Sequence, residues 1–381
     1  MPQNSVIPTD AVTPIKTDNE AKIKVSAALD IAKVLVTILV IIGHITYYSK
    51  SDCRFPQIEN SAFLADLTDI IYYFHMPLFF AISGGVFYLT KTLAGKYGTM
   101  KKLVTNKFSR LMIPYLFFIS IVFIPLIMIL GLSDSSYVNL LSQKVLTIGD
   151  LGWLWFLPTL FLIFIIFNVG HKYLLKHKIW LLIIFGICSM AYYVMPHKIF
   201  GHEVLISQIF KYCLYFYVGY LLVALGTSRK IKHNALLLSG TLLFFMLMIF
   251  AHFTMVSYSI PYIPLISSLM VALAGILAVF YLCYYISNKT DLNIYPVFRL
   301  FKKHSFGIYL FHDVFVWIAF YLLVGISISP YISATAVFVI CLIGSLVLSA
   351  IFSKTPFLRS TIGLKAKSNT LKQQFSNIGQ S

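Results

Sequence analysis

The sequence predicts an all-α fold: a polytopic membrane helical bundle of about ten transmembrane helices, with both termini in the cytoplasm. Of the 381 residues, 59% are hydrophobic and only 11% are charged, a composition that excludes an ordinary soluble domain. Apolar runs recur at lengths that cross a hydrocarbon core of about 30 Å. Basic residues are concentrated in every second connection between these runs, as the positive-inside rule requires.

Each predicted span is a helix, because backbone polar groups in lipid must be satisfied within their own segment. The runs are also longer than the strands of a membrane barrel, which span the bilayer in about ten residues. In chain order the spans cover residues 31–48, 69–90, 111–131, 151–169, 179–195, 206–225, 234–253, 261–286, 304–324 and 331–352.

The basic residues test this assignment independently. Of the 30 lysines and arginines, 24 fall in segments predicted to be cytoplasmic and four in segments on the other side. A wrong number of spans would scramble that alternation. The net charge of +17 is therefore explained by membrane orientation, and no nucleic-acid partner is predicted.

Around the spans, we expect a disordered cytoplasmic tail at residues 1–28, a membrane domain at 29–353 and a basic cytoplasmic tail at 354–381. The polar amino-terminal stretch lacks the apolar segment and small-residue cleavage site of a signal peptide. Four of the five cysteines lie in apolar runs, so no disulfide framework is predicted.

The first span, DIAKVLVTILVIIGHITYY, contains Lys33 and His44. Eleven residues at about 100° each bring the two side chains to within about 20° of one helix face. Lys33 falls at the predicted inner edge and His44 in the outer half. Ionisable groups at such depth often mark a functional path. Equally, Lys33 is consistent with a snorkelling lysine at the helix entrance, and His44 with a hydrogen bond to a neighbouring helix.

The second span, DIIYYFHMPLFFAISGGVFY, runs inward and places His75 at a depth similar to that of His44. We therefore expect the two histidines to face one cavity. Gly84 and Gly85 follow deeper in the span, where close helix packing is favoured over a backbone approach to a ligand.

At the inner end of the third span, NKFSRLMIPY places Lys107 and Arg110 three residues apart, so that they neighbour each other on a helix. Such a pair suits the phosphates of a nucleotide-like donor. A basic cluster before a span is also what topology alone requires.

Two further stretches carry candidate residues. In GWLWFLPTLF, Trp153 and Trp155 belong either to the interfacial aromatic belt or to a platform for a sugar face. In SFGIYLFHDVFVW, His312 and Asp313 lie near the middle of the ninth span, which indicates function or a structural hydrogen-bond network in equal measure. No Walker loop, HExxH, GxSxG or metal-ligand spacing occurs, so no metal is predicted.

Taken together, these segments resemble the acyltransferase-3 family of membrane-bound acyltransferases. The resemblance rests on Lys33 with ten residues before His44, on FHMPLFFAISGG, KFSRLMIPY and WFLP, and on IYLFH, which contains Tyr309. Their order and spacing cover residues 30–352. The Arg-x-x-Arg of the family is represented by Lys107-x-x-Arg110, which keeps the charge but departs from the bidentate arginine.

The resemblance implies transfer of an acyl group, commonly acetyl and sometimes succinyl, from cytoplasmic acyl-CoA to a hydroxyl of an extracytoplasmic polysaccharide or envelope glycan. Acyl-CoA is then a co-substrate, with no bound cofactor. The implied site has His44 and His75 as catalytic residues and Lys33, Lys107 and Arg110 as donor-binding residues. The acceptor or proton-relay residues are Trp153, Trp155, Tyr309, His312 and Asp313.

His44 is expected to act as a general base, since an imidazole with a pKa near 6.5 can take a hydroxyl proton at neutral pH; acting as a covalent acyl carrier stays open. The expected location is the plasma membrane, as a multi-pass protein of a bacterial inner membrane. Expected partners are the lipid bilayer, the acyl-CoA donor and the glycan acceptor, and either polysaccharide-synthesis machinery or a separate extracytoplasmic transferase.

Two other function classes fit the same architecture. One is a transporter or flippase of glycan intermediates, although Asp313 is the one carboxylate deep in a predicted span, where ion-coupled carriers often depend on such groups. The other is a structural partner in a polysaccharide-synthesis complex. Release of free CoA by purified protein separates an enzyme from both.

Overall fold

The computed structural model describes residues 13–48, 50, 61–146, 152–194, 198–199, 202–203, 205–228, 235–257, 263–324, 326 and 328–364. Helix dominates this part of the chain, as expected for long apolar segments that must satisfy their backbone internally. One small exception is a hairpin of two-residue strands, β1 (Lys198–Ile199) and β2 (His202–Glu203), in which Lys198 pairs with Glu203. The predicted all-α class is confirmed.

The α-helices of the described residues follow one another with short connections. In chain order they are α1 (Thr13–Tyr47), α2 (Ala62–Phe87), α3 (Met100–Lys107), α4 (Ile113–Phe117), α5 (Ile124–Ile129), α6 (Tyr137–Leu146), α7 (Phe156–Val169), α8 (Lys178–Val194), α9 (Leu205–Thr227), α10 (Ala235–Ser257), α11 (Ile263–Lys289), α12 (Pro296–Leu323), α13 (Pro330–Lys354) and α14 (Pro356–Thr361). Wider π-helical turns extend α2 over Tyr88–Leu93 and join α3, α4 and α5 through Phe108–Met112 and Phe118–Phe123. Tight 3₁₀ turns occupy Gly152–Trp155, His171–Tyr173 and Leu292–Ile294.

Within the described residues, eight helical segments are long and apolar enough to cross a membrane. They are Asn19–Tyr47, Ala62–Leu93, Met100–Ile129, Leu205–Thr227, Ala235–Thr254, Ile266–Lys289, Pro296–Leu323 and Pro330–Lys354. Two shorter apolar helices, Phe156–Val169 and Lys178–Tyr192, fall at the fourth and fifth predicted spans. The polytopic membrane architecture is confirmed, while the count of ten spans and the orientation of the termini stay predictions.

The structure differs from the sequence prediction at the amino terminus. Helix α1 begins at Thr13, so residues 13–28 are helical rather than part of a disordered tail. Ala21, Val25 and Ala28 are buried, which means that packing of small apolar side chains extends the helix beyond the membrane-length run. Residues 1–12 and 365–381 lie outside the described residues.

The chain divides into two compact units. The first comprises Met1–Val36, Tyr73–Lys96 and Leu214–Lys302, and the second comprises Thr37–Tyr72, Tyr97–Cys213 and Lys303–Ser381. Each of the helices α1, α2, α9 and α12 therefore has residues in both units.

In the first unit, α2 and α9 cross at two reciprocal glycines. A Cβ added at Gly84 would overlap the backbone carbonyl of Phe216, and one added at Gly219 would overlap the backbone of Ala81. Such close backbone approach is typical of small residues between membrane helices. The preference for packing over ligand contact at Gly84 is therefore confirmed.

In the second unit, α12 packs closely on α13. A side chain at Gly307 would overlap Ser349, and the Ser349 hydroxyl lies 2.9 Å from His304 Nδ1. These contacts hold the first half of α12 against α13.

Candidate active site

The centre of the candidate site is a contact between α1 and α12, both from residues of the second unit. His44 Nδ1 lies 3.3 Å from Asp313 Oδ1. The Asp313 side chain is 4% exposed and that of His44 is 22% exposed. The carboxylate is therefore enclosed by protein, while the imidazole keeps an accessible edge.

This contact favours one proton arrangement on His44. A carboxylate oxygen only accepts hydrogen bonds, so it attracts a hydrogen on Nδ1 and leaves the lone pair of a neutral imidazole on Nε2. The distance of 3.3 Å exceeds the roughly 2.7–2.9 Å of a strong charge-assisted hydrogen bond. Catalytic contacts are often long before substrate binds. The arrangement can orient His44 Nε2 as a base.

His312 lies beside this pair, with its ring centroid 5.0 Å from that of His44 in an edge-on arrangement. Its Nδ1 is 2.6 Å from the backbone oxygen of Tyr309. Because a carbonyl oxygen only accepts, Nδ1 carries the hydrogen and Nε2 carries the lone pair of the neutral ring. The Cys341 thiol on α13 donates to the backbone oxygen of His312 at 3.1 Å, which further fixes this turn of α12.

Aromatic rings surround the polar group. Tyr72 on α2 lies edge-on to His44, with ring centroids 6.1 Å apart, and Tyr47 stacks on Tyr72 at 6.1 Å. Tyr309 is buried, with its ring 5.8 Å from His312. Sequence reasoning missed Tyr72. The available signal was a polar aromatic residue one helical turn before His75 in a membrane span.

The same residues could hold a metal ion by their chemistry. In the described part of the chain, His44, His312 and Asp313 offer ligand atoms that all lie within 4.8 Å of one another, and two imidazoles with a carboxylate suit a transition metal. A zinc ion bonded to all three at about 2.0–2.2 Å would bring each pair within about 4.4 Å. The sequence predicts no metal, and chelation tests that prediction.

The structure brings four predicted residues together: His44, Tyr309, His312 and Asp313. The second predicted catalytic histidine, His75, is buried on α2 and belongs to the first unit. The cavity expected to be shared by His44 and His75 stays a prediction.

Lys33 lies on α1 eleven residues before His44, in the first unit. Its ammonium is 3.1 Å from Asp30 Oδ1, and the ammonium of Lys302 is 2.7 Å from Asp30 Oδ2. Two cations therefore share one carboxylate, which leaves a net positive cluster. The side chains of Lys33 and Lys302 are 37% and 34% exposed, so both can still meet an anion from solvent.

Lys107 and Arg110, which the sequence predicts to be neighbours, differ in exposure. Lys107 is buried, with its ammonium 3.4 Å from the centroid of the Phe164 ring and 5.7 Å from that of Tyr97. Arg110 is exposed. A π-helical turn runs from Phe108 to Met112 and contains Arg110.

The predicted tryptophan platform is only partly described. Trp153 belongs to the 3₁₀ turn Gly152–Trp155, and its side chain lies outside the described part. Trp155 is half-buried, and its ring centroid lies 5.1 Å from that of Tyr212 on α9. An aromatic pair therefore exists at this position within the second unit.

Comparison with known proteins adds one finding to this geometry. The model of an acyltransferase domain matches residues 26–354, nearly the whole chain. The comparisons with curated proteins and with solved structures returned no match. The matched range contains the helices that carry His44, Tyr72, His312 and Asp313, and with it the motif order that first indicated the resemblance. The chain is a multi-pass membrane acyltransferase and belongs to the acyltransferase-3 family.

Proposed function

We propose that the protein transfers an acyl group, acetyl or succinyl, from cytoplasmic acyl-CoA to a hydroxyl of an extracytoplasmic polysaccharide or envelope glycan. The observation that carries this proposal is the contact of 3.3 Å between His44 Nδ1 and Asp313 Oδ1 in a chain that belongs to the acyltransferase-3 family. The membrane would be the bacterial inner membrane.

In the proposed reaction, His44 Nε2 takes the proton of the acceptor hydroxyl as its oxygen attacks the thioester carbonyl. The new C–O bond forms, the C–S bond breaks and CoA leaves as a thiolate. The imidazolium of His44 then returns the proton to the sulfur, so the products are the O-acyl glycan and free CoA. Asp313 stabilises the imidazolium and orients its ring, as the aspartate carboxylate does in the Ser-His-Asp triad.

For the donor, the proposed phosphate contacts are Arg110, Lys33 and Lys107. Arg110 is the strongest candidate because its guanidinium is exposed and can bind phosphate in a bidentate manner. Lys33 is supported by its partial exposure. Lys107, whose ammonium lies on the Phe164 ring, is better suited to holding the helix than to a direct phosphate contact.

For the acceptor, the aromatic pair of Trp155 and Tyr212 offers a face of the kind on which apolar sugar faces stack. His312 and Tyr309 beside His44 suit a proton relay to the reacting centre. Under this proposal the partners are the acyl-CoA donor, the glycan acceptor and polysaccharide-synthesis machinery or a separate extracytoplasmic transferase.

The test uses purified protein reconstituted into lipid bilayers. The donor is acetyl-CoA labelled in the acetyl group. Free CoA release on addition of glycan acceptors, with label recovered as an ester on the glycan, supports the proposal. Substrate movement without thioester cleavage would replace it with a transporter or flippase. Omitting the acceptor separates two roles of His44, because an acyl carrier retains label on the protein whereas a general base does not.

A further inference from the structure

A separate apolar groove lies between α7 and α8, in the second unit. Its volume is about 350 Å³, within the range of about 300–1,000 Å³ that is usual for small-molecule sites. Its walls are almost entirely hydrocarbon and aromatic; among them are Ile166, Phe167, Leu174, Leu181, Ile184 and Phe185.

The groove opens between exposed apolar side chains of these helices. Of the residues that line it, Ile166 is 42%, Ile184 48% and Trp180 68% exposed. Both helices are apolar and lie at predicted membrane spans, so we infer that their exposed side chains face hydrocarbon. A ligand that reaches the groove from this side must be soluble in the bilayer.

One end of the groove is basic. The segment that connects α7 to α8 provides lining residues at Gly170, Tyr173, Leu174 and His177, and between and beside them stand three exposed lysines, Lys172, Lys176 and Lys178. No aspartate or glutamate occurs from residue 151 to residue 202, so these charges have no acid in their own segment. Exposed Tyr173 and Trp180 are typical of the membrane interface.

We propose that this groove binds one anionic phospholipid, with an acyl chain along the apolar walls and the phosphate at the lysines of the α7–α8 connection. Basic pockets between membrane helices select anionic headgroups by charge. Coenzyme A fits less well, because its nucleotide would need water where the groove presents lipid-facing hydrocarbon. The proposal is independent of the transfer chemistry at His44.

The test is quenching of tryptophan fluorescence by brominated lipid. Full-length protein is placed in phosphatidylcholine bilayers that contain graded fractions of dibrominated phosphatidylglycerol or dibrominated phosphatidylcholine. The signal of Trp180 is the difference between the wild type and Trp180→Phe. We expect this signal to be half-quenched at about fivefold lower fraction of the anionic lipid, about the effect of one lysine near a membrane surface.

The triple substitution Lys172→Gln, Lys176→Gln and Lys178→Gln should abolish the preference. The matched control is Lys101→Gln with Lys102→Gln, two exposed lysines on α3 that should leave it intact. Salt gives a second readout on the wild type alone, since screening should reduce the preference at about 0.5 M. The proposal would be overturned if both lipids quenched equally. It would also be overturned if the preference for the anionic lipid survived the triple substitution or did not change with salt.

Discussion

His44 and Asp313 meet at 3.3 Å between Nδ1 and Oδ1, although one lies on the first helix of the chain and the other on α12. The contact joins a partly accessible base to an enclosed carboxylate. In the proposed reaction, His44 takes and returns the proton, and Asp313 fixes the orientation of the His44 ring.

Asp313→Asn should lower kcat by about 100-fold or more while leaving the KM for the donor unchanged. The amide no longer favours the Nδ1–H form of His44 or stabilises its imidazolium. A fall in kcat at constant KM marks an interaction made in the transition state. Steady-state kinetics with labelled acyl-CoA measures it.

The matched control for this substitution is Asp69→Asn. Asp69 lies on α2 and pairs with Lys50, and it is not part of the group formed by His44, Tyr309, His312 and Asp313. The turnover of Asp69→Asn should therefore be close to that of the wild type. Turnover of Asp313→Asn within about twofold of the wild type would show that the carboxylate does not assist His44.

Arg110→Ala should weaken CoA binding by about tenfold or more, since hydrogen bonds to charged groups contribute roughly 1.5–3 kcal/mol. Lys107→Met should change the affinity less, because the Lys107 ammonium lies against the Phe164 ring. Titration calorimetry with CoA compares both with Lys101→Ala, an exposed neighbour on α3. Unchanged affinity in Arg110→Ala would remove this residue from the donor site.

Gly84→Ala should destabilise the protein by about 1–3 kcal/mol, the usual cost of overpacking, because the added methyl group would overlap the backbone at Phe216. The measurement is the apparent melting temperature in detergent. Gly240→Ala is the control, since an added Cβ there meets nothing within 4 Å. Equal melting temperatures for Gly84→Ala and the wild type would contradict the close crossing of α2 and α9.

Exhaustive chelation should leave the transfer rate unchanged. In the proposed chemistry the facing atoms of His44 and Asp313 interact with each other, and no step requires an ion between them. The measurement is turnover after treatment with a strong zinc chelator, with metal content determined in parallel. Loss of activity that returns on adding a stoichiometric divalent metal would instead make His44, His312 and Asp313 a metal centre.

Much of the fold is visible in the sequence because the bilayer imposes a local rule: each long apolar run is a helix with internal hydrogen bonds. The same regularity places Lys33 and His44 on one face of α1. The helical extension over residues 13–28 was missed because it depends on contacts of Ala21, Val25 and Ala28, which composition does not report.

The site was only partly predictable from the sequence, because it too depends on contacts between helices. His44, His312 and Asp313 stand out as costly residues in apolar spans, but their meeting depends on how α1 and α12 rotate against each other. Tyr72 enters the site by the same packing. Arg110 lies in a π-helical turn that follows Lys107, and hydrophobic periodicity carries no signal for such a turn.

The most direct test of the central claim is turnover of His44→Asn with labelled acyl-CoA and acceptor. Asparagine can keep a donor towards Asp313 but has no ring nitrogen to take the hydroxyl proton. His252→Asn, at a buried histidine of α10 whose Nδ1 lies 2.7 Å from the Ser267 hydroxyl, is the control and should retain wild-type turnover. We predict a loss of about 100-fold or more in His44→Asn with unchanged CoA affinity, whereas wild-type turnover in this folded variant would contradict His44 as the base.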